Sequence, residues 1–328
     1  MNHYWTELNK LLLIWLSCFI LTVLCSYIII PYLRKLKFGQ TVRLEGPEKH
    51  LSKAGTPTMG GMIFPFILIP VISLAGKLTP QIVAFMTVTV LSGFIGFIDD
   101  WIKVAKKRSM GFRAREKMAC QILLATGFSL WLYFNGETLI LVPFAGEINL
   151  GVWRILLDIV AFTATVNAVN FTDGLDGLAS GTVSVSAVTF GVMAFMTGST
   201  GLTLCAVVLM GICSGFLWVN VYPARLFMGD TGSLTLGGAI AAIAMMLRLE
   251  LLILVVGGIF VAEMLSVVIQ VISFKTTGKR VFKMSPIHHH FEKLGYHETT
   301  ITLRFCLVSM LLAIGGFNLF LATGVITK

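Results

Sequence analysis

The chain has 328 residues, of which 56% are hydrophobic and only 12% charged, with a formal net charge of +9. Such sparse charge excludes an ordinary soluble domain and marks an all-α integral membrane protein, read as one polytopic domain over 1–328. The positive balance does not point to nucleic acid, because Lys and Arg collect in a few loops between apolar runs, and the six cysteines lie inside those runs without the spacing of a disulfide framework or a zinc site.

Apolar windows of about 17–25 residues recur about ten times, near 11–31, 58–75, 80–98, 117–134, 151–168, 178–197, 202–220, 233–249, 251–272 and 301–324. The first has few basic residues before it and no small-residue cleavage site after it, so it reads as a retained span rather than a signal peptide. Basic residues crowd 32–57 and 99–117, which puts both loops on the cytoplasmic side, and ten transmembrane helices then leave both termini outside. Between the fourth and fifth spans, two short apolar runs flank Pro143 and Gly146, the pattern of a short extracytoplasmic β-hairpin.

With this topology the polar clusters share the cytoplasmic face. Lys53, in K-A-G-T-P-T-M-G-G, offers a cation just before the second span. The third span runs into F-I-D-D-W-I-K, where Asp99 and Asp100 repel each other and resist desolvation, so they call for water, a cation or a metal. Neighbouring helical residues point about 100° apart, so both are expected to face one partner only if the helix ends there. The plainer alternative is an interfacial anchor in which Lys103 pairs with Asp99 one turn on.

Asn167, Asn170 and Asp173 recur at helical spacing in an otherwise apolar stretch, with Asp176 three residues further, as a face for a polar ligand; a helix N-cap at Asp173 or Asp176 is the alternative. Asp230, in F-M-G-D-T-G-S, precedes an apolar helix that Thr231 or Ser233 would cap. A carboxylate there can hold Mg²⁺ beside a phosphate, although no Walker loop is present, and a simple capping Asp is equally open. His288, His289 and His290 cannot easily all reach one zinc ion and suit hydrogen bonding or proton transfer near a phosphate. Glu263 is costly in lipid, and is read as marking an interruption of the ninth helix.

Taken in order, K-A-G-T-P-T-M-G-G, F-I-D-D-W-I-K, N-F-T-D-G-L-D-G-L-A, F-M-G-D-T-G-S and P-I-H-H-H-F-E resemble the motifs of the bacterial phospho-N-acetylmuramoyl-pentapeptide transferases, the MraY family, within the polyprenyl-phosphate N-acetylhexosamine-1-phosphate transferases. The resemblance covers nearly the whole chain. It implies transfer of phospho-N-acetylmuramoyl-pentapeptide from its UDP carrier (UDP-MurNAc-pentapeptide) to undecaprenyl phosphate, giving lipid I and UMP, with Mg²⁺ as cofactor. This is the first membrane step of peptidoglycan synthesis. It further implies a homodimer in the bacterial cytoplasmic membrane with its active site facing the cytoplasm. By resemblance Asp99, Asp100, Asp230 and His289 are catalytic: Asp230 is the Mg²⁺ ligand with Asp100 supporting the base or approaching the metal, and Asp99 is the base toward the lipid phosphate. Lys53, Asn170, Asp173, Asp176, Asn220, Phe227, His288 and His290 match substrate-binding positions, Phe227 being placed to stack on uracil.

Three other readings compete. A UDP-N-acetylglucosamine-specific transferase shares the acidic motifs and differs at the histidine run. A transporter would suit ten helices, but its ionisable residues belong near the bilayer midplane between repeats, and none is visible here. An intramembrane prenyltransferase would use paired acids on a prenyl diphosphate and ignore UDP-sugars.

Overall fold

The computed structural model describes residues 2–36, 55–106 and 111–325, and Lys53 falls outside them. The helices in chain order are α1 (Asn2–Lys35), α2 (Ile63–Ala75), α3 (Pro80–Ala105), α4 (Ala114–Phe134), α5 (Trp153–Thr172), α6 (Leu178–Met196), α7 (Thr200–Asn220), α8 (Gly229–Met246), α9 (Ile253–Val256), α10 (Gly258–Thr277), α11 (Ile287–Lys293) and α12 (Glu298–Leu321). Strands β1 (Leu139–Val142) and β2 (Gly146–Asn149) pair antiparallel, with Leu139 opposite Asn149 and Val142 opposite Gly146, as the hairpin signal predicts.

Among the described residues eight helices are long and apolar enough to cross a membrane. This is a multi-pass membrane protein. Two of the ten expected spans are absent from those eight, for different reasons. The run 58–75 yields only the short α2, preceded by a 3₁₀ turn over Gly60–Met62. The run 233–249 becomes α8, which is rich in Gly, Ala and Thr and is buried without interruption from Thr231 to Met246. A helix enclosed by other helices has no need of a lipid-facing apolar surface, and its small side chains let neighbours approach closely.

α8 is the axis of the molecule, with α3 and α5 packed along it. The approach is closest at glycines. A Cβ on Gly93 would run into the Thr235 hydroxyl, one on Gly96 would lie 2.7 Å from the Thr231 nitrogen, and one on Gly237 would lie 2.8 Å from the Cα of Val166. Layering outward follows the same logic: 72% of the most apolar window of α6 and of α7 is buried, against 22% for α1 and α10, so the latter pair face lipid.

The ninth expected run is indeed broken, but not at Glu263. The break falls at Gly257, between α9 and α10, and α10 then continues to Thr277, five residues past the expected end of the span. At this end of the bundle, opposite the acidic motifs, Arg154 is buried with its guanidinium 2.8 Å from Glu250, 3.4 Å from Glu137 and 3.7 Å from Asp158. It also donates to the Met245 carbonyl at 2.6 Å, and Arg248 joins through Glu137 at 2.7 Å. Burial pushes the Glu250 carboxyl up to about 8 against the opposing pull of Arg154.

Candidate active site

The acidic motif of α3 does not lie at a helix end, as the sequence spacing led us to expect for two acids sharing a partner. α3 continues to Ala105, and Asp99 and Asp100 still meet a common partner because Lys103 stands one turn on. Its ammonium lies 2.6 Å from Asp99, 3.4 Å from Asp100 and 2.8 Å from Asp230. The ordinary i,i+4 ion pair is therefore real, but Lys103 also reaches a third carboxylate 127 positions along the chain.

The two neighbouring acids are used differently. Asp100 Oδ2 accepts the Thr231 backbone N–H at 2.9 Å and the Thr231 hydroxyl at 2.8 Å. Thr231 is the third residue of α8, where a capping side chain normally serves the free amide, and Met228 at the N-cap has none to offer. Asp100 thus caps α8 from another helix, and Thr231 and Ser233 do not cap it. Asp99 instead accepts the Phe112 N–H at 2.6 Å through Oδ1 and holds Lys103 through Oδ2.

Asp230, in the first turn of α8, is surrounded by donors. Lys117 of α4 lies 2.9 Å from Oδ2, and Asn170 of α5 donates to Oδ1 at 2.9 Å. Lys117 also donates to Asn170 at 3.2 Å, and Asn170 reaches Ser233 at 2.8 Å. One turn deeper on the same faces, Asn167 donates to Gln121 at 2.5 Å. The polar face expected along α5 is real, and α4 completes it.

The end of the K-A-G-T-P-T-M-G-G segment, residues 57–61, is laced to the approach of α8: Phe227 N–H donates to Pro57 at 2.9 Å, Gly60 N–H to Phe227 at 2.8 Å and Gly61 N–H to Met228 at 3.0 Å. This fixes the backbone of Phe227 on both sides, three residues ahead of Asp230, with its ring half-buried.

Asp173 and Asp176 do not share a helix face. α5 ends at Thr172 with Asp173 as its C-cap, and the chain turns through Gly177 at φ +77° into α6. Asp176 accepts the Ala224 N–H at 2.9 Å, and Asn220 accepts Gly177 N–H at 3.1 Å while donating to Leu226 at 3.0 Å. Both are buried. They fasten the 173–177 turn to the 222–226 loop, beneath the surface that carries Phe227.

The three histidines, consecutive on the short α11, take separate partners. His288 is buried with Nδ1 3.0 Å from Glu263, His289 pairs with Glu292 at 2.6 Å, and His290 Nδ1 accepts the Lys283 N–H at 3.1 Å. The ring of His288 packs on Gly174, which joins α11 to the turn that follows Asn170.

Asp99, Asp100 and Asp230 are the group of His, Cys and acidic residues among those described that can hold a metal ion, with one donor atom from each lying within 4.8 Å of the others. An all-carboxylate set suits a hard divalent cation. Sequence reasoning named Lys103 only as the ion-pair partner of Asp99, and it missed both the reach of Lys103 to Asp230 and the part played by Lys117. A signal existed for Lys117: it lies in the first turn of α4, where the helix dipole disfavours a cation, so it needs a carboxylate from elsewhere.

Residues 82–248 match the model of the family "Glycosyl transferase family 4". The phospho-N-acetylmuramoyl-pentapeptide-transferase of Bacillus subtilis (strain 168) is 45% identical over 304 residues, covering 91% of this chain and 94% of its own. That of Clostridium botulinum (strain Alaska E43 / Type E3) is 46% identical over 302 residues, covering 91% and 93%. That of Shouchella clausii (strain KSM-K16) is 45% identical over 319 residues, covering 95% and 97%. Similarity of this depth, over more than 90% of the chain, establishes that the chain belongs to the phospho-N-acetylmuramoyl-pentapeptide-transferase family.

Proposed function

We infer that the chain transfers phospho-N-acetylmuramoyl-pentapeptide from UDP-MurNAc-pentapeptide to undecaprenyl phosphate, releasing UMP and forming lipid I. The observation that carries this reading is the meeting of Asp99, Asp100, Asp230, Lys103 and Lys117 at one end of the bundle, in a chain about 45% identical to transferases of that name. Phosphoryl transfer asks a protein for alignment and charge neutralisation more than for covalent chemistry, and this cluster supplies both signs of charge.

Asp230, with Asp100 beside it, holds Mg²⁺ in this reading, and the ion when bound neutralises charge on the donor diphosphate. Asp99 takes the proton of the lipid phosphate, a role that its neighbour is poorly placed to share. Asp100 Oδ2 is taken up by the Thr231 N–H, whose bond caps α8, and by the Thr231 hydroxyl, whereas Asp99 accepts one backbone amide and pairs with Lys103. Lys103 and Lys117 pass from their carboxylates to phosphate oxygens as substrate arrives. The acceptor attacks directly, because it is already an anion and needs positioning more than activation.

Phe227 stacks on uracil, Asn170 and Asp173 line the nucleotide side, and Asn220 and Asp176 hold the walls of that pocket. Lys53 contacts a donor phosphate, and His288, His289 and His290 border the sugar and phosphates, with His289 closest to the chemistry. The enzyme sits as a homodimer in the bacterial cytoplasmic membrane, with this end facing the cytoplasm and both termini outside.

The test is UMP release by purified protein in detergent with Mg²⁺ and undecaprenyl phosphate, comparing UDP-MurNAc-pentapeptide with UDP-N-acetylglucosamine. Release from the first donor alone supports the reading. Release from the second alone moves the chain to the N-acetylglucosamine-specific enzymes, and release from neither, in folded protein, overturns it.

A further inference from the structure

Glu263 is an anomaly on α10. Its side chain is 0% exposed, as is that of His288, and the two approach to 3.0 Å between Oε2 and Nδ1. The His288 amide lies 3.5 Å from the same oxygen. Glu263 Oε1 and both ring nitrogens of His288 are buried without an aligned hydrogen bond. On the far side of the imidazole is Gly174, where a Cβ would come 2.5 Å from Cε1. The ring is therefore wedged between a carboxylate on one helix and a bare backbone on another turn.

As a fastener between helices this is a poor choice. Two apolar side chains of similar volume would join α10 to α11 without the cost of burying a carboxylate whose second oxygen has no partner. The surroundings point to a role in the site instead. His289, the next residue, also has a carboxylate on Nδ1, Glu292 at 2.6 Å, and the two imidazole centroids lie 4.1 Å apart with their planes tilted by 60°. A carboxylate behind an imidazole fixes the ring's orientation and which nitrogen faces outward.

We propose that Glu263 is a positioning residue for the transfer reaction, acting through His288: it clamps the imidazole against Gly174 and so sets the histidine helix against the turn carrying Asp173. The proposal rests on the site assignment above. Glu263 stands six residues into α10, on the stiff part of the helix just after the break at Gly257, so its carboxylate is a fixed post against which the ring is held.

Glu263→Gln keeps the shape of the side chain and removes its charge. We expect a fall in kcat of about 10–100-fold, a KM for the UDP-linked donor within about twofold of the parent, and an unchanged thermal midpoint. His288→Gln should lower kcat comparably, and the Glu263→Gln/His288→Gln double variant should be no worse than His288→Gln alone, since the first residue acts only through the second. Multiplying losses, or full turnover in a folded Glu263→Gln protein, would overturn the proposal. Should Glu263→Gln fail to fold, Gly174→Ala decides: it drives the same ring from the other side, so lost kcat at unchanged KM supports the clamp and full activity refutes it. Asp230→Asn run in parallel separates the two levels, because a fully active Asp230→Asn sinks the site assignment itself, whereas an inactive one beside an active Glu263→Gln sinks only the clamp.

Discussion

Gly96→Ala places one methyl group between the two helices that carry all three acids. The added carbon would sit 2.7 Å from the Thr231 backbone nitrogen and closer still to the Asp230 carbonyl, while ordinary contact begins at 3.4 Å. Both obstacles are backbone, so no rotamer change relieves them, and clearing the Asp230 carbonyl requires α3 and α8 to part by about 1 Å. That movement carries Asp230 away from Asp99 and Asp100 and stretches the bonds from Thr231 to Asp100. A misplacement approaching 1 Å in a phosphoryl-transfer site costs on the order of 100-fold in rate, and overpacking of this kind costs about 1–3 kcal/mol in stability. The assay is UMP release at saturating Mg²⁺ with a thermal midpoint on the same preparation. Gly127→Ala serves as the control, since a Cβ there meets nothing within 4 Å. Gly96→Ala at more than half of parental turnover would refute the claim that contact between α3 and α8 sets the acid geometry.

Lys117→Met removes the ammonium that Asp230 and Asn170 share, and should lower kcat/KM for UMP release by about 100-fold or more while the protein folds normally. Asp100→Ala should cost about 1–2 kcal/mol through loss of the cap on α8, seen as a lower thermal midpoint, whereas Asp100→Asn, whose amide oxygen still accepts from Thr231, keeps most of that stability and loses turnover. At the opposite end of the bundle, Glu250 titrates near 8 when folded against an unfolded value of 4.5, so the folded state binds the extra proton between those limits. Stability from this group is complete below pH 4.5 and declines as pH rises through 8, by at most about 1.4 kcal/mol per unit. Glu250→Gln should flatten that decline in thermal-midpoint measurements from pH 5 to 9.

Much of this molecule is written locally in the chain. Apolar run lengths place most spans, Pro143 and Gly146 announce the hairpin, and each acid stands out against an apolar background. What is not legible is pairing over distance. Lys103 meets Asp230 across 127 positions and Lys117 across 113, and nothing in either local pattern names that partner. Gly93 and Gly96 look like ordinary membrane-helix glycines until α8 is laid against them. The interruption near the ninth run was misplaced because a charge in lipid is a loud signal, while the break itself, at Gly257, is silent in hydropathy.

The two lysines have a further consequence for how the enzyme matures. Three carboxylates gathered at the end of a bundle would repel one another in a newly made chain, yet each already lies within 3.4 Å of an ammonium supplied by the same polypeptide. Two ammonium groups compensate most of that charge, which eases the closing of α3, α4 and α8 around the three acids. The same pairing makes an incoming divalent ion compete with resident ammonium groups for the carboxylates. In the proposed reaction, loading is therefore most favourable when the donor's phosphates arrive to receive the displaced lysines, which would tie occupancy of the centre to the presence of something to transfer.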